Sequence, residues 1–194
     1  MNVEPKRLFI TGIPTSGKSW AGSLIATELG AIHIEVDDMR ADFQNDNRYR
    51  DAANFYINQD EKEYYENTTH KEQWDNVVRQ SEALWPAILK KIKSYEKEPR
   101  PMVFEGVNIL PHLVHRDLPK MKGVILLGPS FDKTLERNIQ SPRWGNTKEL
   151  QHMEAESFFY GERPHYLEEG EKYGYKICDT ATEAFNLTKE LWNI

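Results

Sequence analysis

Gly12, Gly17, Lys18 and Ser19 follow the pattern glycine, four residues, glycine, lysine, serine. That spacing suits a loop whose backbone N–H groups wrap a phosphate chain. Glycines at its two edges allow backbone angles and close approaches that a Cβ would block. Lys18 is placed to reach the β- and γ-phosphates of a nucleoside triphosphate, and the Ser19 hydroxyl to coordinate Mg²⁺. A helix starting near Gly17 aims its first amides at the same anion. The loop residues Gly12, Ile13, Pro14, Thr15, Ser16, Gly17, Lys18, Ser19 and Trp20 are therefore the expected nucleotide contacts, with ATP and Mg²⁺ as the expected cofactors.

Phosphoryl transfer needs a phosphate cradle, a divalent metal, a positioned acceptor and cations around the transferring group. Asp37 and Asp38 end the second apolar run, and Glu105-Gly106 end the third. Asp37 is the expected base that orients the acceptor hydroxyl and takes its proton. Asp38 and Glu105 are the expected further metal ligands, through water. The alternative for the aspartate pair is a cap on the following segment, and for Glu105 a solvated strand end. Arg137 and Arg143, around a turn-rich loop, are the candidate cations, and surface solvation is their alternative. Arg40, three residues after Asp37, is the best placed of the remaining arginines to grip the acceptor, beside Asp37, Glu105 and Gly106.

These residues need elements to position them. Arg7–Thr11 is a short apolar, β-prone run before the loop, and Trp20, Leu24, Ile25 and Leu29 recur at helical spacing up to Gly30, where a terminating glycine belongs. Further strand-like runs are 31–36, Met102–Phe104, 123–127 and 175–178. Residues 41–67 read as a loop followed by a helix. Thr69 to Glu72 is a capping box, opening a long amphipathic helix that Pro86 could kink and Pro99 and Pro101 end. Helices are expected from Phe131 to Asn138, from Thr147 to Tyr160, after Pro164 as far as Gly174, and after a capping box at Thr180–Glu183. Five apolar strands alternating with helices imply a parallel sheet covered on both faces. Ligands then bind outside the carboxyl ends of the strands, where all the candidate chemistry lies. The aromatic residues Tyr49, Phe55, Tyr56, Tyr64 and Tyr65 are read as packing of the inserted helices rather than base stacking, and His33 as structural.

The chain's 194 residues suffice for one domain with a substantial core. Its net charge is −6 and no dense basic run stands out, which speaks against a nucleic-acid partner. Cys178 is the only cysteine, which excludes an intrachain disulfide and a cysteine zinc site. The segment MNVEPKRLFI lacks the apolar stretch of a signal peptide, and no segment approaches a membrane span, so a cytoplasmic protein is expected. The oligomeric state stays open.

The layout resembles the P-loop kinases of the nucleoside-monophosphate-kinase-like superfamily. GIPTSGKSW followed by VDDMR is similar to the polynucleotide-kinase and zeta-toxin branch, which implies a base aspartate at Asp37 and a substrate-gripping arginine at Arg40. LERNIQSPRWGN resembles that branch's lid, whose arginines fall on Arg137 and Arg143. Met102 to Pro111 resembles the Glu-Gly-Val segment of 2-phosphoglycerate kinases. Trp20 departs from the small hydroxyl residue common at its position, and Glu105 from the aspartate of many nucleotide kinases. The expected architecture is a single three-layer α/β/α P-loop kinase domain over 1–194. Its five-stranded parallel sheet is ordered 2-3-1-4-5, residues 41–100 form an inserted helical acceptor lobe, and 138–150 a lid-like loop. The expected activity is transfer of phosphate from ATP to a small hydroxyl-bearing or anionic metabolite. A nucleotide or polynucleotide kinase is the alternative within that chemistry, and a nucleotide-binding switch or regulatory ATPase the alternative outside it. A switch of the GTPase kind would want an Asn-Lys-x-Asp motif, which the sequence lacks.

Overall fold

A computed structural model describes residues 5–194. Strands β1 (Arg7–Thr11), β2 (Ile32–Glu35), β3 (Met102–Glu105), β4 (Lys122–Leu126) and β5 (Lys176–Cys178) match the apolar runs within a residue or so at each end. All pair in parallel in the order β2-β3-β1-β4-β5, as the sequence leads one to expect.

Helices cover both faces. Helices α1 (Lys18–Leu29) and α10 (Ala181–Trp192) bury Ile25 and Ala184 against Leu8, Ile10, Val103 and Val124. The alternate residues Phe9, Phe104 and Ile125 pack on the other side, against Trp85 and Ile88 of α5 (His70–Ser94), Leu113 of α6 (Pro111–Asp117) and Tyr166 of α9 (Arg163–Tyr173). Burial on both faces is why these strands read as continuous apolar runs rather than alternating ones.

Three expectations are corrected. Residues 41–67 are not a loop and one helix: a 3₁₀ turn (Val36–Met39) leads into α2 (Arg40–Asn45), α3 (Arg50–Ala53) and α4 (Glu61–Asn67). Polar faces masked these short helices: α2 joins the core through Phe43 and α3 through Ala53, and α4 buries Tyr64. Helix α6 was not expected at all. Pro111 starts it, in the first turn where a missing N–H leaves no bond unmade. Finally, the helix after Thr147 does not stop before Pro164. Helix α8 (Lys148–Glu156) continues through a π-helical turn (Ser157–Glu162) into α9, and the Arg163 N–H donates back five residues to the Phe158 carbonyl. The widened turn carries Pro164 into the first turn of α9 without breaking the run.

The capping box at α5 forms as expected. The Thr69 N–H donates to Glu72 Oε2 (2.8 Å) and the Glu72 N–H to Thr69 Oγ1 (3.3 Å). Pro86 lies inside α5 without ending it. The loop between α7 (Phe131–Gln140) and α8 folds onto the helical segment between β2 and β3, with Trp144 packed 5.6 Å from Tyr56 and 5.7 Å from Tyr64, ring centre to ring centre. Among the described residues no helix is long and apolar enough to cross a membrane.

Candidate active site

A cleft of about 670 Å³ opens at the carboxyl ends of β1, β2 and β3, beneath the helical insertion. The segment between β1 and α1 forms its floor. Gly12 (φ 134°), Thr15 (φ 61°) and Gly17 (φ 104°) take left-handed conformations, which curl the chain tightly. A Cβ on Gly12 would collide with the Leu126 backbone, so glycine is required there by close approach as well as by angle. The loop's carbonyls are held by cations: Lys18 Nζ donates to the Ile13 carbonyl (2.7 Å), and Arg137 Nη1 to those of Thr15 (3.0 Å) and Ser16 (2.8 Å). Meanwhile the N–H groups of Gly17, Lys18 and Ser19 have no backbone acceptor among the described residues. Ser16 Oγ is buried with no hydrogen-bond partner among the described residues. Unmade amide bonds at the head of a twelve-residue helix, beside an orphaned buried hydroxyl, fit a phosphate chain.

The second cluster stands at the strand ends. Register places Glu35 opposite Glu105, and His33 lies two residues earlier on the same face of β2. Glu105 Oε1 accepts the Ser19 hydroxyl (2.9 Å) and lies 3.8 Å from His33 Nε2. Burial disfavours the charge on Glu105, but His33, the Lys18 ammonium and the Ser19 hydroxyl together hold its carboxyl below the usual range. A hydroxyl and an ionised carboxylate at hydrogen-bond distance beside a phosphate loop are oxygen ligands of the kind Mg²⁺ takes. Burial lowers Lys18, against the opposing pull of Glu105 and Asp37.

Asp37 follows β2 in the 3₁₀ turn. Protein groups crowd it, yet its side chain opens to the cleft. This crowding raises its carboxyl; the Lys18 ammonium opposes the shift and Glu105 adds to it. Gly106 backs it: a Cβ there would lie 3.0 Å from Asp37 Oδ1. The Thr11 hydroxyl donates to the Gly106 carbonyl (3.0 Å) and the Tyr166 hydroxyl to that of Val107 (2.8 Å), which fixes this turn.

Of the residues singled out from the sequence, Pro14, Thr15, Gly17, Lys18, Ser19 and an exposed Trp20 line the cleft. So do Asp37, Arg40, Glu105, Arg137 and Arg143. Gly12, Ile13, Ser16 and Gly106 lie behind its surface as supports. Asp38 is exposed and is not part of the cleft lining.

Sequence reasoning missed several residues. His33, read as structural, lies 3.8 Å from Glu105, a proximity that appears only once β2 is paired with β3. Tyr56, Tyr64 and Tyr65 pack on one another and on Trp144, and the same side chains wall the cleft. Gln73 and Glu162 also line it. Glu162 is buried, and that burial lifts its carboxyl to about 8 against the pull of Lys18.

No protein-family model matches the sequence, and no curated protein matches it significantly. Solved structures do. TT1252 from Thermus thermophilus is 14% identical and aligns over 99% of each chain, with a TM-score of 0.58. A shikimate kinase from Acinetobacter baumannii in complex with shikimate is 14% identical, over 98% of this chain and 93% of its own, at 0.53. A deoxyadenosine kinase from M. mycoides with bound dATP is 15% identical, over 97% of this chain and 100% of its own, at 0.51. Such distant likeness speaks to architecture, and the architecture of this chain is the P-loop fold of the nucleoside-monophosphate-kinase-like kinases.

Proposed function

We propose that the chain is an ATP- and Mg²⁺-dependent kinase that phosphorylates a hydroxyl-bearing or anionic small metabolite. One observation carries this reading: a crowded carboxylate, Asp37, opens into the same cleft as the phosphate loop, beside Lys18 and Glu105. A phosphate-binding loop alone serves a switch as well as a kinase. A carboxylate facing its lysine gives an acceptor hydroxyl somewhere to lose its proton.

In this reading the free N–H groups of Gly17, Lys18 and Ser19 and the Lys18 ammonium hold the triphosphate. Ser19 and Glu105 hold a magnesium ion, which neutralises phosphate charge. Asp38 is assigned no contact. Asp37 orients the acceptor hydroxyl and takes its proton as that oxygen bonds to the terminal phosphorus and the bond to ADP breaks. Arg143, from the loop over the cleft, faces the transferring group, and Arg137 keeps the phosphate loop in shape through its two carbonyls. Residues 41–100 and 138–150 act as the acceptor lobe and the lid.

The test is ADP release from Mg·ATP, with and without a panel of sugars, small acids, nucleosides, nucleotides and oligonucleotides. A kinase releases little ADP alone and much more with its acceptor. ATP hydrolysis that no acceptor stimulates would favour a regulatory ATPase instead.

A further inference from the structure

The wall of the cleft formed by α4, α5 and the π-helical turn carries two polar groups with nothing to bind. Glu162 is 5% exposed, lines the cleft and makes no side-chain hydrogen bond among the described residues. Gln73 is 4% exposed. Its Nε2 donates to the Thr68 carbonyl (3.2 Å) and to Thr68 Oγ1 (3.1 Å), which fixes the amide's orientation and leaves Oε1 buried without a donor. The two lie on one side of the cleft. Gly161, next to Glu162, packs on His70, one helical turn before Gln73. A buried polar group without a partner is costly, and natural structures satisfy nearly all of them. Gln73 Oε1 is an acceptor, so its missing partner is a donor; Glu162, with its carboxyl lifted to about 8, keeps its proton at neutral pH and offers an accepting carbonyl oxygen beside a donating O–H.

The surroundings narrow it further. Tyr56, Tyr64, Tyr65 and Trp144 give this wall apolar ring faces. Of the cleft's cations, Lys18 and Arg137 belong to its other end, where they are bonded to loop carbonyls. The exposed Arg40 faces Asp37 and Tyr56, and Arg143 is next in the chain to Trp144, which packs on the tyrosines. A phosphate or carboxylate placed against Gln73 would bring only further acceptors to it and leave its Oε1 without a donor.

We infer that Glu162 and Gln73 bind the acceptor, a hydroxyl compound that offers them N–H or O–H donors, lays a ring face on the tyrosines and carries no anionic group of its own. The inference rests on the kinase reading and narrows its substrate class. A neutral or amino sugar and a nucleoside share this chemistry.

Matched pairs test it by ADP release from Mg·ATP: glucose and glucosamine against gluconate, adenosine against AMP, and cytidine against CMP. Turnover is expected with the uncharged or amino member and not with its anionic counterpart, and the pair that responds separates sugar from nucleoside. Gln73→Met is expected to raise the KM for that acceptor on the order of tenfold, and Glu162→Gln, which keeps the carbonyl oxygen, by about twofold. The affinity for a fluorescent ATP analogue and kcat should hold. Preference for an anionic member, silence of every uncharged member in protein that binds the ATP analogue, or unchanged acceptor KM in both variants would overturn the inference. So would a loss of ATP affinity in Glu162→Gln, which would make Glu162 a counter-ion of Lys18. Failure of the wild-type protein to bind the analogue would instead overturn the kinase reading itself.

Discussion

The two ends of the cleft are built differently. The phosphate end comes from one stretch, residues 12–19, and works through backbone: left-handed turns, free amides at a helix start and a lysine folded against its own loop. The end proposed for the acceptor is assembled from α4, α5, the loop between α7 and α8 and the π-helical turn, and is lined by side chains: tyrosines, a glutamine and a buried glutamate. Backbone geometry tolerates few sequences, so the first end is strongly marked. Side-chain walls can be rebuilt piece by piece, so under the proposed function the second would carry the specificity, and it leaves little trace in local spacing.

That contrast can be broken by substitution. Lys18→Ala is the severest test of the phosphate end. It removes the charge aimed at the phosphates and is expected to cost on the order of 10²–10³ in turnover, with little change in melting temperature. Normal ADP release from this variant would remove the loop from the chemistry.

Ser19→Ala comes next, with a rise of about tenfold in the Mg²⁺ concentration needed for half-maximal turnover. Calorimetry should find only weak Mg²⁺ binding to nucleotide-free protein, because this ion prefers to share phosphate oxygens and water. Tight binding without nucleotide would point to a resident metal at Glu105, Glu35 and His33, whose candidate ligand atoms lie within 4.8 Å of one another.

The two arginines should separate. Arg137→Ala loses both loop contacts and is expected to weaken ATP binding several-fold, because one net hydrogen bond is worth about 1 kcal/mol. Arg143→Ala should lower kcat and leave ATP affinity unchanged. Equal profiles for the two would deny Arg137 its supporting role.

The smallest effect belongs to the lid's anchor. Glu61 is buried beside Glu154 and the backbone of Gly145, and burial lifts its carboxyl to about 7, with Glu154 adding to the shift and Gly145 opposing it. A carboxyl raised in the folded state favours folding at low pH. The contribution is complete below about 4.5, the ordinary value, and is lost as pH rises through about 7. Melting temperature should therefore fall by about 5 °C between pH 5 and pH 8 for this reason, and Glu61→Gln should flatten that slope. An identical pH profile in the variant would show that Glu61 does not anchor the lid.

Much of the phosphate end and of the sheet could be read before any coordinates. Gly12 to Ser19 is a local pattern, and strands buried on both faces announce themselves as apolar runs. The capping boxes at Thr69 and Thr180 marked helix starts for the same reason, since each is complete within four residues. The short helices α2, α3 and α6 were hidden because each is held by tertiary contacts rather than by its own periodicity. The π-helical turn was hidden because Pro164 reads as a break, whereas one added residue per turn lets the helix pass it. The surroundings of His33 and Glu162 were hidden because they depend on Glu105 and the tyrosine wall, which lie far away in the chain.

The account stands most directly on Asp37. Asp37→Asn keeps the shape and removes the basicity, so two quantities decide its role: affinity for Mg·ATP, and ADP release stimulated by the acceptor. The account predicts unchanged affinity and acceptor-stimulated turnover lower by about 10² to 10⁴. Weakened Mg·ATP binding would make Asp37 a metal ligand, and wild-type turnover would contradict the account, leaving the carboxylate beside Lys18 with no part in the transfer.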